Sequence, residues 1–161
     1  MIYNLETIAH LSKWIFLCFK SNLSCLGKVA RYKLTIEYEG TRYSGWQLQK
    51  GAKSVQGTIL DACKLIFPGE KIEVYGAGRT DQGVHALAQV AHLDVNRSMN
   101  VLKLKFQLND NLPPDIVVKN VESASPKFHA RYDAVHRSYL YQISKRSEEH
   151  TSELQSLAYL V

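Results

Sequence analysis

The chain is poor in cysteine and has no long apolar run. Its three cysteines, Cys18, Cys25 and Cys63, are odd in number and show no C-x-x-C spacing, so nothing indicates a disulfide framework or a zinc ribbon. They suit a reducing compartment. The N-terminal apolar run at residues 14–19 is far shorter than the roughly 20 residues that a membrane span needs. We therefore predict no transmembrane helix and no membrane partner.

Acidic residues are also in the minority. The chain has 15 Asp and Glu against 20 Lys and Arg, which gives a net charge of +5 and a pI near 9.1. This balance favours a polyanionic partner, although charge alone says little about fold. With 45% apolar and 22% charged residues in 161, the chain suits one globular domain with a real core.

Hydrophobic periodicity predicts five strands and two helices. Alternating or short apolar segments predict strands at residues 32–38, 72–75, 86–95, 116–121 and 138–144, and helical spacing predicts helices after Ser54 and over residues 100–108. The first six elements follow the order of the ferredoxin-like β-α-β-β-α-β arrangement. We expect an α+β fold, an antiparallel sheet with helices on one face, with Cys63 in its core.

The segment "YGAGRTDQGVHA", residues 75–86, holds one carboxylate, Asp81, two residues after Arg79 and among three glycines. It is not a dinucleotide-binding fingerprint, because Asp81 stands where the third glycine belongs. A metal site of Asp81 with His85 and His92 lacks the standard ligand spacings. A simple hairpin turn would explain the glycines but not the pairing of Arg79 with Asp81.

This segment closely resembles the G-R-T-D-x-G-V-H-A signature of the TruA family of tRNA pseudouridine synthases. The resemblance continues in family order through "YEGTRYSGWQ" (38–47), "SVQG" (54–57), "QVAHLD" (89–94), "LNDNLPPDI" (108–116), "FHARYDA" (128–134) and "RSYLY" (137–141). It covers residues 32 to about 145, which would form the N-terminal half of a pseudouridine synthase catalytic domain.

The resemblance implies isomerisation of uridine to pseudouridine in the tRNA anticodon stem-loop, by a homodimer that uses no cofactor and no metal. It implies that Asp81 is the catalytic carboxylate, Arg79 its ion-pair partner and Tyr139 the aromatic side chain that stacks on the target uracil. A neighbouring guanidinium would hold the pKa of Asp81 below its ordinary value. The glycines would let a flipped-out nucleotide approach the backbone.

Basic residues elsewhere predict RNA contacts. Lys127, Arg131 and Arg137 cluster around Phe128, His129 and Tyr132, a pattern that suits phosphate contact with aromatic support, and the alternative is a solvated face. Arg42 and Tyr43 make a weaker case of the same kind. From its alternation with Tyr141, Tyr139 is as well suited to the core as to a ligand.

The two ends of the chain differ from the middle. Residues 1–30 stay unassigned, and residues 31–145 would form the N-terminal part of the pseudouridine synthase domain. Residues 146–161 begin with "RSEEHTSELQS", which matches the in-frame translation of a common sequencing-library adapter. We expect this tail to be non-biological and the family's second half to be missing. We expect a cytoplasmic protein, or an organellar one if residues 1–30 are a transit peptide.

Two other functions compete with catalysis. A truncated, non-catalytic RNA-binding remnant would bind RNA without turnover, and a metabolite-binding ferredoxin-like module would not bind RNA with a steep salt dependence.

Overall fold

The computed structural model describes residues 29–143 and 156–160 of the 161-residue chain. Apart from residues 29 and 30, the N-terminal segment that the sequence left unassigned lies outside the described part. The strands are β1 (Ala30–Tyr38), β2 (Glu73–Gly76), β3 (His85–Val95), β4 (Ile116–Ala124), β5 (Tyr139–Ile143) and β6 (Ser156–Leu160), and the helices are α1 (Val55–Ile66) and α2 (Val101–Asn111).

Strand β1 lies inside the sheet and has one face in the core. Its even-numbered residues from Tyr32 to Tyr38 are buried and its odd-numbered residues are partly exposed, as the sequence alternation predicted. It pairs antiparallel with β3 on one side and β4 on the other, so that Leu34 lies opposite Ala91 and Val121.

The four main strands lie in the order β4, β1, β3, β2, and each neighbouring pair is antiparallel. Apolar side chains of α1 and α2 join the buried residues of β1 in one core cluster. Each helix connects two strands that are separated by a third, which is the ferredoxin-like topology. The prediction of an α+β fold with this arrangement is confirmed.

Helix α1 begins where the sequence predicts. The Ser54 side chain accepts a hydrogen bond from the Gly57 N–H at 3.2 Å, which caps the first turn. Cys63, on the buried face, has no exposed surface, and burial raises the pKa of its thiol to about 12. The thiol is therefore protonated and inert at neutral pH, which confirms its predicted core role.

Helix α2 is longer than predicted. It ends at Asn111, three residues beyond the predicted end, and the Leu112 N–H still donates to the Leu108 carbonyl at 2.9 Å. The sequence prediction placed residues 109–115 in a loop, because Pro113 and Pro114 forbid helix continuation. The chain instead stays helical almost up to Pro113, whose ring and missing N–H end a helix.

The segment at residues 125–137 lies against the other face of the sheet. Arg31 on β1 donates to both carboxylate oxygens of Asp94 on β3, at 2.6 and 2.5 Å. Its remaining Nη1 donates to the carbonyls of Pro126 and Phe128 at 2.7 and 2.6 Å. One guanidinium thereby joins two strands to the segment, with the bidentate geometry that makes such pairs strong.

Strands β5 and β6 extend the sheet beside the first half of β3. They pair antiparallel with each other, and the end of β6 runs parallel to the start of β3, with His85 opposite Tyr159. Strand β2 occupies the other half of the same edge. Strand β6 falls in the segment that the sequence assigns to a foreign tail, an origin that stays a prediction.

Candidate active site

The loop between β2 and β3, residues 77–84, carries the Arg79 and Asp81 side chains. Its first residues are fixed by hydrogen bonds to β3: the Ala77 N–H donates to the Val90 carbonyl at 2.7 Å, and the Gln89 side chain donates to the Gly78 carbonyl at 2.7 Å. Gln89 is 1% exposed, and a buried amide is costly unless it is bonded. Its bond therefore keeps the loop at one position over the strand.

Thr80 fixes the middle of this loop. Its side chain is buried, and its Oγ1 lies 2.7 Å from the Tyr38 hydroxyl in a hydrogen bond. Its carbonyl accepts a hydrogen bond from the Trp46 N–H at 3.0 Å. Asp81, the next residue, is exposed. An anchored residue thus precedes a solvent-facing carboxylate.

Two glycines of the loop after β1 allow it to lie directly on the Asp81 loop. A Cβ on Gly40 would come within 2.0 Å of the Val84 carbonyl oxygen. Gly45 has φ +87°, and a Cβ there would come within 2.4 Å of the Thr80 carbonyl oxygen. Only glycine allows this backbone contact and this φ, so these two positions preserve the geometry around Asp81.

Arg79 and Asp81 do not form the ion pair that the sequence led us to expect. Within the described residues, no hydrogen bond or salt bridge within 4.0 Å joins their side chains. Both are exposed, on either side of buried Thr80. Exposed charges gain little from pairing in water, which explains why the two side chains stay apart in the free protein.

A cleft of about 520 Å³ opens beside this loop. Its walls combine cationic and aromatic side chains with backbone, and none of the described residues that line it is Asp or Glu. The lining residues are Trp46, Gln47, Gln56, Tyr75, Gly76, Ala77, Gly78, Arg79, His129, Arg131, Tyr132, Arg137 and Tyr139. The cleft therefore joins Arg79 and Tyr139 with two of the predicted RNA-binding arginines, and its chemistry suits phosphates and bases.

Arg137 connects the cleft wall to the catalytic loop. Its Nε and Nη2 donate to the Ala77 carbonyl at 3.2 and 3.0 Å, and Nη2 also donates to the Arg131 carbonyl at 3.0 Å. A residue predicted only as an RNA contact thus also binds backbone on both sides of the cleft.

The remaining predicted contacts are divided between surface and core. Arg42 and Lys127 are exposed, as an RNA contact requires. Tyr43 is 1% exposed, its hydroxyl donates to Asp115 at 2.7 Å, and Lys53 lies 4.7 Å from its ring centre. Burial, with the neighbouring Asp115 carboxylate, raises the pKa of Tyr43. Tyr43 is therefore a core residue that supports the first loop, without an exposed ring face for RNA.

The sequence analysis missed the residues that hold the site together, namely Tyr38, Thr80, Gln89 and Arg31. Thr80 lies within the quoted motif, yet nothing in the pattern shows that its side chain points into the core. For Gln89 a signal exists, because an amide amid the small and apolar residues of β3 needs a buried partner.

Neither a metal site nor a membrane-spanning helix occurs in the described part of the chain. No group of three His, Cys, Asp or Glu side chains within residues 29–143 and 156–160 could hold a metal ion. No helix in the same ranges is long and apolar enough to cross a membrane.

The fold and the cleft together define an α+β protein with a ferredoxin-like core and a cationic, aromatic cleft next to the loop that carries the exposed Asp81 carboxylate. A family model described as tRNA pseudouridine synthase matches residues 34–133. The chain belongs to this family, as the resemblance of its motifs to the TruA family predicted.

Several curated relatives are similar to the chain over its folded part. A tRNA pseudouridine synthase A from Rhodopseudomonas palustris (strain BisA53) is 52% identical over 117 residues, which cover 72% of this chain and 47% of the relative. A tRNA pseudouridine synthase A 1 from Protochlamydia amoebophila is 46% identical over 112 residues, 70% of this chain and 44% of the relative. The chain spans about half the length of these relatives.

Proposed function

We propose that the chain is the N-terminal half of the catalytic domain of a tRNA pseudouridine synthase, and that the whole protein isomerises uridine to pseudouridine in the tRNA anticodon stem-loop. Membership of the family supports this activity. One observation carries it further: the exposed Asp81 carboxylate directly follows the anchored Thr80, beside a cleft lined by arginines and aromatic rings.

In this proposal Asp81 acts as the catalytic carboxylate. It attacks the sugar or the base, or stabilises the charge that develops there, while the bond between N1 of uracil and C1′ of ribose breaks. The detached uracil turns and forms a new bond from C5 to C1′, and any bond that Asp81 has formed to the sugar or the base breaks again, which restores the carboxylate. C5 then loses its proton and N1 carries one, so atoms and electrons balance without a co-reactant.

Tyr139 and the arginines bind the RNA in this proposal. Tyr139 is 50% exposed and lines the cleft, so its ring can stack on the flipped uracil. Arg79 pairs with Asp81 once RNA has excluded water from the cleft, because ion pairs strengthen when they are desolvated. Arg131, Arg137, Lys127 and Arg42 contact phosphates.

We also propose that the tail at residues 146–161 is foreign to the domain and that the whole protein acts as a homodimer on tRNA. The half-length coverage of the relatives supports a longer gene product. Sequencing the genomic DNA tests the tail directly: the expected reading frame leaves the printed sequence near Arg146 and continues into family-like sequence. A genomic frame that encodes "RSEEHTSELQS" would contradict it.

The activity is tested with protein expressed from the intact gene and tRNA that carries tritium at C5 of its uridines. We expect tritium release from tRNA with anticodon-arm uridines, and none when cytidine replaces those uridines. RNA binding with no release from either tRNA would favour the binding remnant instead. Light scattering on the same sample measures the molar mass of the protein and thereby tests the proposed homodimer.

A further inference from the structure

Four rings form a row from β2 to the segment after β4. Tyr75 stacks on His92 with ring centres 5.1 Å apart and planes at 23°. His92 meets His129 at 4.7 Å and 63°, and His129 meets Tyr132 at 4.3 Å and 35°. Three of the four rings, those of Tyr75, His129 and Tyr132, line the cleft.

The inner rings of this row are held by backbone hydrogen bonds. His92 is 1% exposed, and its Nδ1 accepts from the Ala130 N–H at 3.1 Å. His129 Nδ1 accepts from the Arg131 N–H at 3.2 Å, and the His129 N–H donates to Asp133 at 2.8 Å. The row is therefore fixed before any ligand arrives, which reduces the ordering cost of binding.

The outer end of the row is open. Tyr132 is 78% exposed and rests on His129. Among the described residues that line the cleft, the exposed tyrosines are Tyr132, Tyr139 and Tyr75, at 78%, 50% and 44%. The Tyr75 ring already stacks on His92. In the proposed function the target uracil stacks on Tyr139. The exposed face of the Tyr132 ring is therefore available to stack on a second planar group. The described residues that line the same cleft include three arginines and no carboxylate, which favours a nucleotide over an uncharged aromatic ligand.

We propose that Tyr132 forms a second stacking subsite, which binds the base next to the target uridine in the RNA strand. This inference rests on the proposed function, because that function assigns Tyr139 to the target base. Stacking on an aromatic side chain accepts any base, since each has a π face. The subsite would hold the strand in register while the neighbouring uridine leaves its stack.

The test uses a single-stranded RNA of about ten nucleotides with one uridine and 2-aminopurine, a fluorescent base quenched by stacking, on its 5′ or 3′ side. We expect the 161-residue chain to quench the 2-aminopurine fluorescence of one of the two RNAs. Tyr132→Ala should remove this quenching and weaken binding about 5- to 150-fold, the effect of losing one stacked base. Tyr132→Phe and Tyr132→Trp should retain both.

The matched control is Tyr141→Ala, because Tyr141 is 66% exposed on β5 and does not line the cleft. Circular dichroism checks that each variant is folded. Three results would overturn the subsite: no quenching of either RNA by the wild-type chain, unchanged quenching with Tyr132→Ala, or a loss with Tyr132→Phe as large as with Tyr132→Ala. Quenching needs no turnover, so Tyr132-dependent quenching by the chain would support the subsite even if protein from the intact gene released no tritium, a result that would contradict the proposed activity alone.

Discussion

At the scale of single residues, the Thr80 side chain determines how the candidate carboxylate is presented. It is the only residue of the Arg79–Asp81 triplet that points into the protein, and Tyr38 and Trp46 hold its two oxygens. Burial, the largest cause, raises the pKa of Tyr38 to about 12. Both hydroxyls therefore stay protonated near neutral pH, and the bond between them persists.

This bond gives the first prediction. Tyr38→Phe and Thr80→Val each remove one hydroxyl of this bond and leave the other buried without its partner. Either change should lower the free energy of unfolding by about 1 to 3 kcal/mol. In the intact protein it should lower kcat with little effect on KM, because Asp81 is displaced while the RNA surface is unchanged. Urea unfolding and tritium-release kinetics measure the two effects. Additive losses in the double variant would contradict a direct bond.

At the scale of structural elements, the segment at residues 125–137 both forms the cleft wall and supports the catalytic loop. Arg131 is exposed, whereas Arg137 donates three hydrogen bonds to backbone carbonyls. The two arginines should therefore respond differently to substitution, although the sequence assigned both to RNA contact.

The second prediction compares these arginines. Arg131→Ala should reduce the slope of log K against log salt for tRNA binding by about 0.7 to 0.9, the effect of one lost phosphate contact. Arg137→Lys keeps its charge and should keep the slope, yet it should lower kcat because an ammonium cannot reproduce the planar fork that binds two carbonyls. Filter binding at several salt concentrations measures the slope. A slope unchanged by Arg131→Ala would make that residue part of a solvated face.

The third prediction concerns His92, at the centre of the ring row. Burial lowers the pKa of His92, and Arg31 lowers it further, while Asp94 and Glu73 oppose the shift. The folded state thus keeps His92 neutral. As the pH falls below about 6.5, the ordinary pKa of histidine, the unfolded chain takes up a proton that the folded chain resists.

Stability from this group is therefore present above about pH 6.5 and is lost as the pH falls towards the lower folded pKa. Thermal melts between about pH 7.5 and 5 should show a smaller loss of Tm for His92→Gln than for the wild-type chain, since glutamine does not titrate. An equal loss of Tm in the two proteins would show that His92 does not cause the pH dependence of stability.

Elements were easier to predict than contacts. Alternation along β1 and helical spacing in α1 reflect which face is buried, and burial follows from the residue types themselves. The geometry of the exposed site depends instead on residues that are distant in the sequence and in contact in the fold. Tyr43 lies in the core, where its hydroxyl donates to Asp115, a residue far along the chain. Arg79 and Asp81 do not pair because both side chains are exposed to water, where an ion pair gains little. Neither outcome can be deduced from spacing.

At the scale of the whole molecule, β5 depends on the end of the chain for its place in the sheet. Among the described strands, β5 pairs only with β6, while the order β4, β1, β3, β2 is complete without either. The fourth prediction follows: a chain that ends at Lys145 should show fast amide exchange in β5 and unchanged protection in β1 and β3. Hydrogen-exchange mass spectrometry measures both. Retained protection of β5 would show that it has another partner.

The central claim is that Asp81 carries out the isomerisation, and the fifth prediction tests it in protein from the intact gene. Asp81→Asn keeps the size of the side chain and removes its charge, so tritium release should fall at least about 10³-fold while tRNA binding persists. Asp61→Asn is the matched control, because Asp61 is an exposed aspartate on α1, away from the cleft lining, that pairs with Lys64. We expect near-normal release from Asp61→Asn and almost none from Asp81→Asn. Substantial release by Asp81→Asn would contradict the central claim.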